Sequence, residues 1–182
     1  MPHRIREKIK FIGRKFTIKD VTVRHDNGKE FTYEITERPG SIGSMIVAID
    51  EKGRVLLVNE YMAGHDRMDL CLPKGRAEEG ESAKNAAARE FEEETGYNAK
   101  KITHLMDVTL TPGYSNHKTA LFLATGLTKA KNPRKGDEIE PLKIVFKPLD
   151  EAIRMAKKGK ISEARAVLCL YMAREALSKS RK

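Results

Sequence analysis

The chain contains no tryptophan, and aromatic residues make up only 6% of its 182 positions. Stacking on nucleic-acid bases calls for aromatic side chains interleaved with arginines, and no such interleaving occurs. Cysteine is scarce as well. Cys71 and Cys169 both lie in apolar runs, which reads as two buried thiols in a reducing compartment and argues against a disulfide scaffold. No apolar run approaches the ~20 residues of a membrane-spanning helix. The basic stretch 1–16 lacks the apolar core of roughly 7–15 residues that marks a secretory signal. A soluble, cytoplasmic chain is therefore expected. Internal repeats and low-complexity tracts are absent.

Positive charge is plentiful, with a formal net charge of +9. Much of the excess falls in 4–29 and 157–182. One reading is a nucleic-acid-binding surface. The other is a field that steers a small polyanionic substrate. Dispersed lysines and few aromatics favour the second.

Segments 15–24 and 29–37 alternate apolar and polar residues around Asp26-Asn27-Gly28, the pattern of a β-hairpin. Pro39-Gly40 and Gly43 break the chain. Segments 45–49 and 54–59 flank a turn at 50–53 and predict a second hairpin. Further strands are expected at 69–72, 102–110, 119–125 and 142–147. Helices are expected at 149–157 and 161–177, the latter from Ala164, Val167, Leu168, Tyr171 and Met172 at helical spacing. Irregular interleaving of strands and helices points to an α/β protein with a mixed sheet. The first forty residues predict a hairpin extension that pairs with a second copy of the chain. Residues 41–182 form the main domain.

Between these elements, an alanine-rich helix follows a loop with two glycines. Ala83, Ala86, Ala87 and Phe91 form one stripe, and Glu90 and Glu94, four apart, fall within it. An amphipathic helix keeps carboxylates on its polar side. Two inward acids left unpaired would each be unfavourable by several kcal/mol. A divalent cation is the economical partner. Hard oxygen donors suit Mg²⁺, with Mn²⁺ an alternative, and no His or Cys stands nearby at a zinc-like spacing. Glu81 can reach back to the same place. Arg89, four before Glu93, can orient Glu93 or soften repulsion among the acids. Gly96 suits a left-handed helix end.

Gly75, Glu81, Arg89-Glu90, Phe91, Glu93-Glu94, Gly96 and Tyr97 fill the fixed positions of the Nudix box, so the chain resembles the Nudix hydrolase family. The resemblance implies an α/β/α sandwich whose loop–helix–loop holds metals, and hydrolysis of a nucleoside diphosphate linked to another moiety. It implies Glu90 and Glu94 as metal ligands, Glu93 as a ligand or support, Glu81 as a support or ligand, and the Lys74 carbonyl as a further ligand. Pro112, sixteen residues past Gly96, is similar to the mark of ADP-ribose and other ADP-sugar pyrophosphatases. Gly136-Asp137-Glu138 and Glu163-Ala164-Arg165 resemble ADP compounds hydrolases. By the same resemblance Glu138 is the general base and Glu140 faces the metal.

Two departures bear on the substrate. Many ADP-ribose enzymes carry an arginine where this chain has Met62 in Glu60-Tyr61-Met62; Arg67 or Arg76 could replace it. Leu72-Pro73-Lys74-Gly75 resembles diadenosine polyphosphate hydrolases and decapping enzymes. Tyr61 and Tyr114 could stack on a base or be ordinary half-buried tyrosines. Arg38 is another candidate for the substrate. The expected reaction is metal-dependent hydrolysis of a nucleoside diphosphate sugar, ADP-ribose first and GDP-mannose or similar sugars also possible. The alternative is a diadenosine polyphosphate or RNA 5′-end pyrophosphohydrolase. A homodimer is expected, with no membrane and no nucleic-acid partner.

Overall fold

A computed structural model describes residues 1–38, 42–136 and 141–179. The chain divides into two compact units, Met1–Ser41 with Thr109–Lys118, and Ile42–Val108 with Thr119–Lys182.

The first unit is an antiparallel sheet of β1 (His3–Ile12), β2 (Thr17–Arg24) and β3 (Glu30–Glu37), in that order. The β2–β3 hairpin is the one predicted. Gly28 closes it at φ 78°, a conformation that side chains with a Cβ rarely adopt. β1 is not among the expected strands, because its basic residues read as a charged stretch. Every β1 residue is exposed, and its arginines and lysines blunt an open sheet edge. Tyr114 reaches the same unit from the 109–118 segment: its carbonyl accepts the Thr36 N–H at 2.7 Å. The Arg38 N–H donates to Asn116 Oδ1 at 3.0 Å, and the Arg38 guanidinium lies 5.1 Å from the centre of the Phe16 ring.

The second unit contains β4 (Gly43–Ile49), β5 (Arg54–Met62), β6 (Arg67–Cys71), β7 (Lys74–Arg76), α1 (Ala83–Thr95), β8 (Tyr97–Thr109), β9 (Lys118–Lys129), β10 (Lys143–Pro148), α2 (Leu149–Lys157) and α3 (Ala164–Lys179). The sheet runs β10-β5-β4-β9-β8, with β6 on β5 and β7 on β4. β4 and β9 are parallel, whereas β4 is antiparallel to β5 and β7. The sheet is therefore mixed, as expected. Alternation along β4 sorts its core. Met45, Val47 and Ile49 pack with Ile153, Ala166 and Leu170 from α2 and α3. Ile46 and Ala48 pack with Ala87 and Phe91 of α1 on the other face. Each fully buried Leu, Ile or Phe stabilises this sandwich by about 1.5–3 kcal/mol.

α3 starts three residues later than the periodicity predicts. Glu163 Oε2 accepts the Ala166 N–H at 2.8 Å, which satisfies an orphan donor and sets the start of the helix. β7 was read as loop. Three residues with a central glycine carry too little pattern to announce a strand. Both cysteines are buried and free. Among the described residues no helix is long and apolar enough to cross a membrane.

Candidate active site

α1 begins at Ser82, whose hydroxyl accepts the Asn85 N–H at 3.2 Å, and ends at Gly96 with φ 69°. These caps fix which side chains meet the sheet. Ala86, Ala87 and Phe91 are buried, and Glu90 and Glu94 share their side of the helix. β7 bonds to β4 along one edge. On its other side the Lys74 N–H donates to Glu94 Oε2 and the Arg76 N–H to Glu90 Oε1, each at 3.1 Å. The two carboxylates therefore straddle Gly75. A Cβ on Gly75 would lie 2.0 Å from Glu90 Cδ, so only glycine admits the carboxylate there.

The protein supplies two cations of its own, Lys74 and the expected Arg89. Lys74 Nζ forms a very short contact with Glu60 Oε2. Cys71 Sγ lies 3.4 Å from the same oxygen and 3.7 Å from the ammonium. Burial opposes the charge on Lys74, yet its surroundings, the carboxylates of Glu60 and Glu94 among them, hold its pKa above the ordinary lysine value. Burial pushes Cys71 up to about 12, so it stays a thiol. Glu60 was not among the predicted site residues. Its signal was a lone acid at the end of the apolar run Val55-Leu56-Leu57-Val58.

Arg89 gathers the remaining acids. Its guanidinium pairs with Glu81 Oε2 at 3.0 Å, Glu93 Oε2 at 3.0 Å and Glu90 Oε1 at 3.1 Å, and also donates to the Arg76 carbonyl at 2.8 Å. The hydrogen bond from Arg89 holds Glu81 below the usual carboxylate range. Burial raises Glu90. Glu94 is pushed up to about 8, again by burial, despite the opposing charge of Lys74.

Glu94 is thus undercompensated by the protein alone. Among the described residues no group of three or more His, Cys, Asp or Glu forms a complete metal cage. Glu90 and Glu94 nevertheless offer hard oxygen donors on either side of a glycine. That set fits a divalent cation as part of its coordination, with the rest from water, phosphate oxygens or other residues.

The other predicted residues distribute as follows. Arg76 belongs to β7, beside Lys74 and next to the helix. Tyr61 and Arg67 both lie on the β5–β6 hairpin, opposite Met68 and Met62 respectively, and are exposed. The Tyr61 hydroxyl donates to Asp66, while Arg67 pairs with Asp69 at 2.8 Å and reaches Ser162 Oγ at 3.4 Å. Arg38 and Tyr114 belong to the first unit. Glu138 and Glu140 lie outside the described residues.

Paired glutamates on a capped helix thus lie against a short glycine-centred strand that pairs with β4 of the mixed sheet. The NUDIX domain description matches residues 41–169, and the chain belongs to the Nudix hydrolase family. Nudix hydrolases generally need a divalent metal. The ADP compounds hydrolase NudE of Escherichia coli is 33% identical over 90% of this chain and 86% of its own length. An ADP-ribose pyrophosphatase of Bacillus subtilis is 28% identical over 88% of this chain and 85% of its own. A crystal structure of an ADP compounds hydrolase superposes with a TM-score of 0.91 at 31% identity, covering 98% of this chain and 95% of that one.

Proposed function

We propose that this enzyme hydrolyses the diphosphate bond of nucleoside diphosphate sugars, with ADP-ribose as the leading substrate, giving AMP and ribose 5-phosphate. The carrying observation is the pair Glu90 and Glu94 astride Gly75, in a chain whose relatives include an ADP-ribose pyrophosphatase and ADP compounds hydrolases. GDP-mannose and related sugars are secondary candidates.

Glu90 and Glu94 would hold Mg²⁺, or Mn²⁺ in its place, with the Lys74 carbonyl as a further donor. The bound cation neutralises the diphosphate and activates water. Arg89 holds Glu81 and Glu93 in place beside the ligands, so the helix presents one arrangement of carboxylates. Lys74 lowers the local negative charge around Glu94. Glu138 accepts the proton of the attacking water, and Glu140 assists at the cation. Arg76 and Arg67 are the proposed phosphate contacts, and Tyr61 a proposed contact to the nucleoside. The +9 net charge draws such anions in.

We further read residues 1–40 as a pairing element of a cytoplasmic homodimer. The exposed side chains of Ile5, Ile9, Phe11, Phe31 and Tyr33 support this.

A second reading, hydrolysis of diadenosine polyphosphates or RNA 5′ ends, drew on Lys74 in Leu72-Pro73-Lys74-Gly75. The half-buried pairing of Lys74 with Glu60 weakens it, because that ammonium is already engaged by a carboxylate. A panel of ADP-ribose, GDP-mannose, diadenosine polyphosphates and 5′-triphosphate RNA, with phosphate release coupled to phosphatase, tests the order. The highest kcat/KM is expected for ADP-ribose. A lead by either of the last two classes overturns the proposal.

A further inference from the structure

Ser44 is 1% exposed, and its hydroxyl makes no hydrogen bond among the described residues. A buried hydroxyl without a partner is unfavourable and uncommon, and at a functional site it points to a partner that arrives later. The fold indicates where that partner comes from. Ser44 lies on β4 between Gly75 of β7 and Ala120 of β9. By strand alternation its side chain shares a face with Ile46 and Ala48, which pack against Ala87 and Phe91 of α1. Both flanking residues are small, and the space that a Cβ on Gly75 would need is filled by the Glu90 carboxyl. Side chains directly opposite in an antiparallel pair stand about 4.5–5.5 Å apart at Cβ. Ser44 and Glu90 therefore meet the same small gap beneath α1.

Glu90 has reason to change partners. Its hydrogen bond from Arg76 and its ion pair with Arg89 both fall on Oε1. A carboxylate turned to bind a cation through that oxygen needs its other oxygen steadied.

We propose that Ser44 is a positioning residue of the metal site. Its hydroxyl donates a hydrogen bond to Glu90 when the carboxylate turns to coordinate. Coordination by Glu90 would supply the acceptor that the Ser44 hydroxyl lacks. This rests on the reading of Glu90 and Glu94 as metal ligands. It assigns a role to a strand residue outside the box, and it predicts opposite effects of one substitution on stability and on affinity.

The experiment is a Mn²⁺ titration of the full chain by electron paramagnetic resonance, beside melting of the metal-free protein, for wild type, Ser44→Ala and Glu94→Gln. Loss of the hydroxyl is expected to weaken Mn²⁺ binding about tenfold, as removal of a residue that orients a ligand commonly does. The metal-free melting temperature should stay or rise, because an unsatisfied buried group is gone. A merely structural serine would move melting and leave affinity alone. Wild-type affinity in Ser44→Ala, or weakened affinity together with a lowered metal-free melting temperature, overturns the role of Ser44. If Glu94→Gln also binds Mn²⁺ like wild type, the ligand reading itself fails, and the role of Ser44 with it. A wild-type chain that binds no Mn²⁺ overturns both.

Discussion

Gly75 and Glu90 share one space. The glutamate carboxyl sits where any other residue at 75 would place its Cβ, with Cδ 2.0 Å and Cγ 2.1 Å from that position. The glycine is therefore required by close approach of a side chain rather than by backbone conformation. Gly75→Ala should force Glu90 away from β7 and break the hydrogen bond from the Arg76 N–H. We expect kcat/KM to fall at least about tenfold, equivalent to ~1.4 kcal/mol of transition-state stabilisation. Circular dichroism should show the fold retained. An alanine variant with wild-type kinetics would show that Glu90 is free to sit elsewhere.

The pair Lys74 and Glu60 is the second relationship with a measurable consequence. Both side chains are mostly shielded from solvent, so removing one strands the other. Lys74→Met and Glu60→Gln should each destabilise the fold by roughly 1–3 kcal/mol. The double variant should be destabilised by clearly less than the sum. Urea denaturation of all four proteins gives the coupling. Additivity within about 0.3–0.5 kcal/mol would mean that the two groups do not act together.

Much of this was legible in the sequence. The hairpin around Asp26-Asn27-Gly28, the sheet strands and all three helices follow from periodicity and turn residues, because local pattern and tertiary burial agree there. The Glu90–Glu94 spacing gave away a helix with acids on its inner side. Lys74 as an inward cation was not legible. A lysine beside a proline and a glycine reads as a loop residue, and only folding brings Glu60, fourteen residues earlier, against it. Ser44 was equally silent, since a serine at the head of an apolar strand has no pattern of its own. Its meaning appears only when β7 is found lying against β4. β1 is masked by its charges, because Glu7 interrupts the alternating face of Ile5, Ile9 and Phe11 and basic residues fill most positions between them.

Asp50 offers a test of pH dependence away from the chemistry. It accepts N–H groups of Lys52 at 3.0 Å and Arg54 at 2.8 Å, and pairs with the Arg54 guanidinium at 2.7 Å. Burial alone would raise its pKa, but the hydrogen bonds and charge of Arg54 prevail and hold it below the usual carboxylate range. A folded-state pKa below the unfolded one contributes stability that is full above the unfolded value of ~3.9 and is lost as pH falls through the lowered one. Asp50→Asn should therefore destabilise by about 1 kcal/mol at neutral pH. The gap from wild type should close in strong acid. Denaturant titrations at pH 7 and at about pH 2.5 check this, and a gap independent of pH would remove Asp50 from the account.

The central claim is that the inward glutamates of α1 hold a divalent cation against a nucleotide diphosphate. Turnover of ADP-ribose to AMP, followed by chromatography with Mg²⁺ and with EDTA, tests it most directly when Glu94→Gln is run beside the wild type. The wild type should release AMP only in the presence of the metal. Glu94→Gln should lose about a hundredfold or more in kcat/KM, with the melting temperature preserved. AMP release at equal rates from both proteins, or an undiminished rate in EDTA, would contradict it.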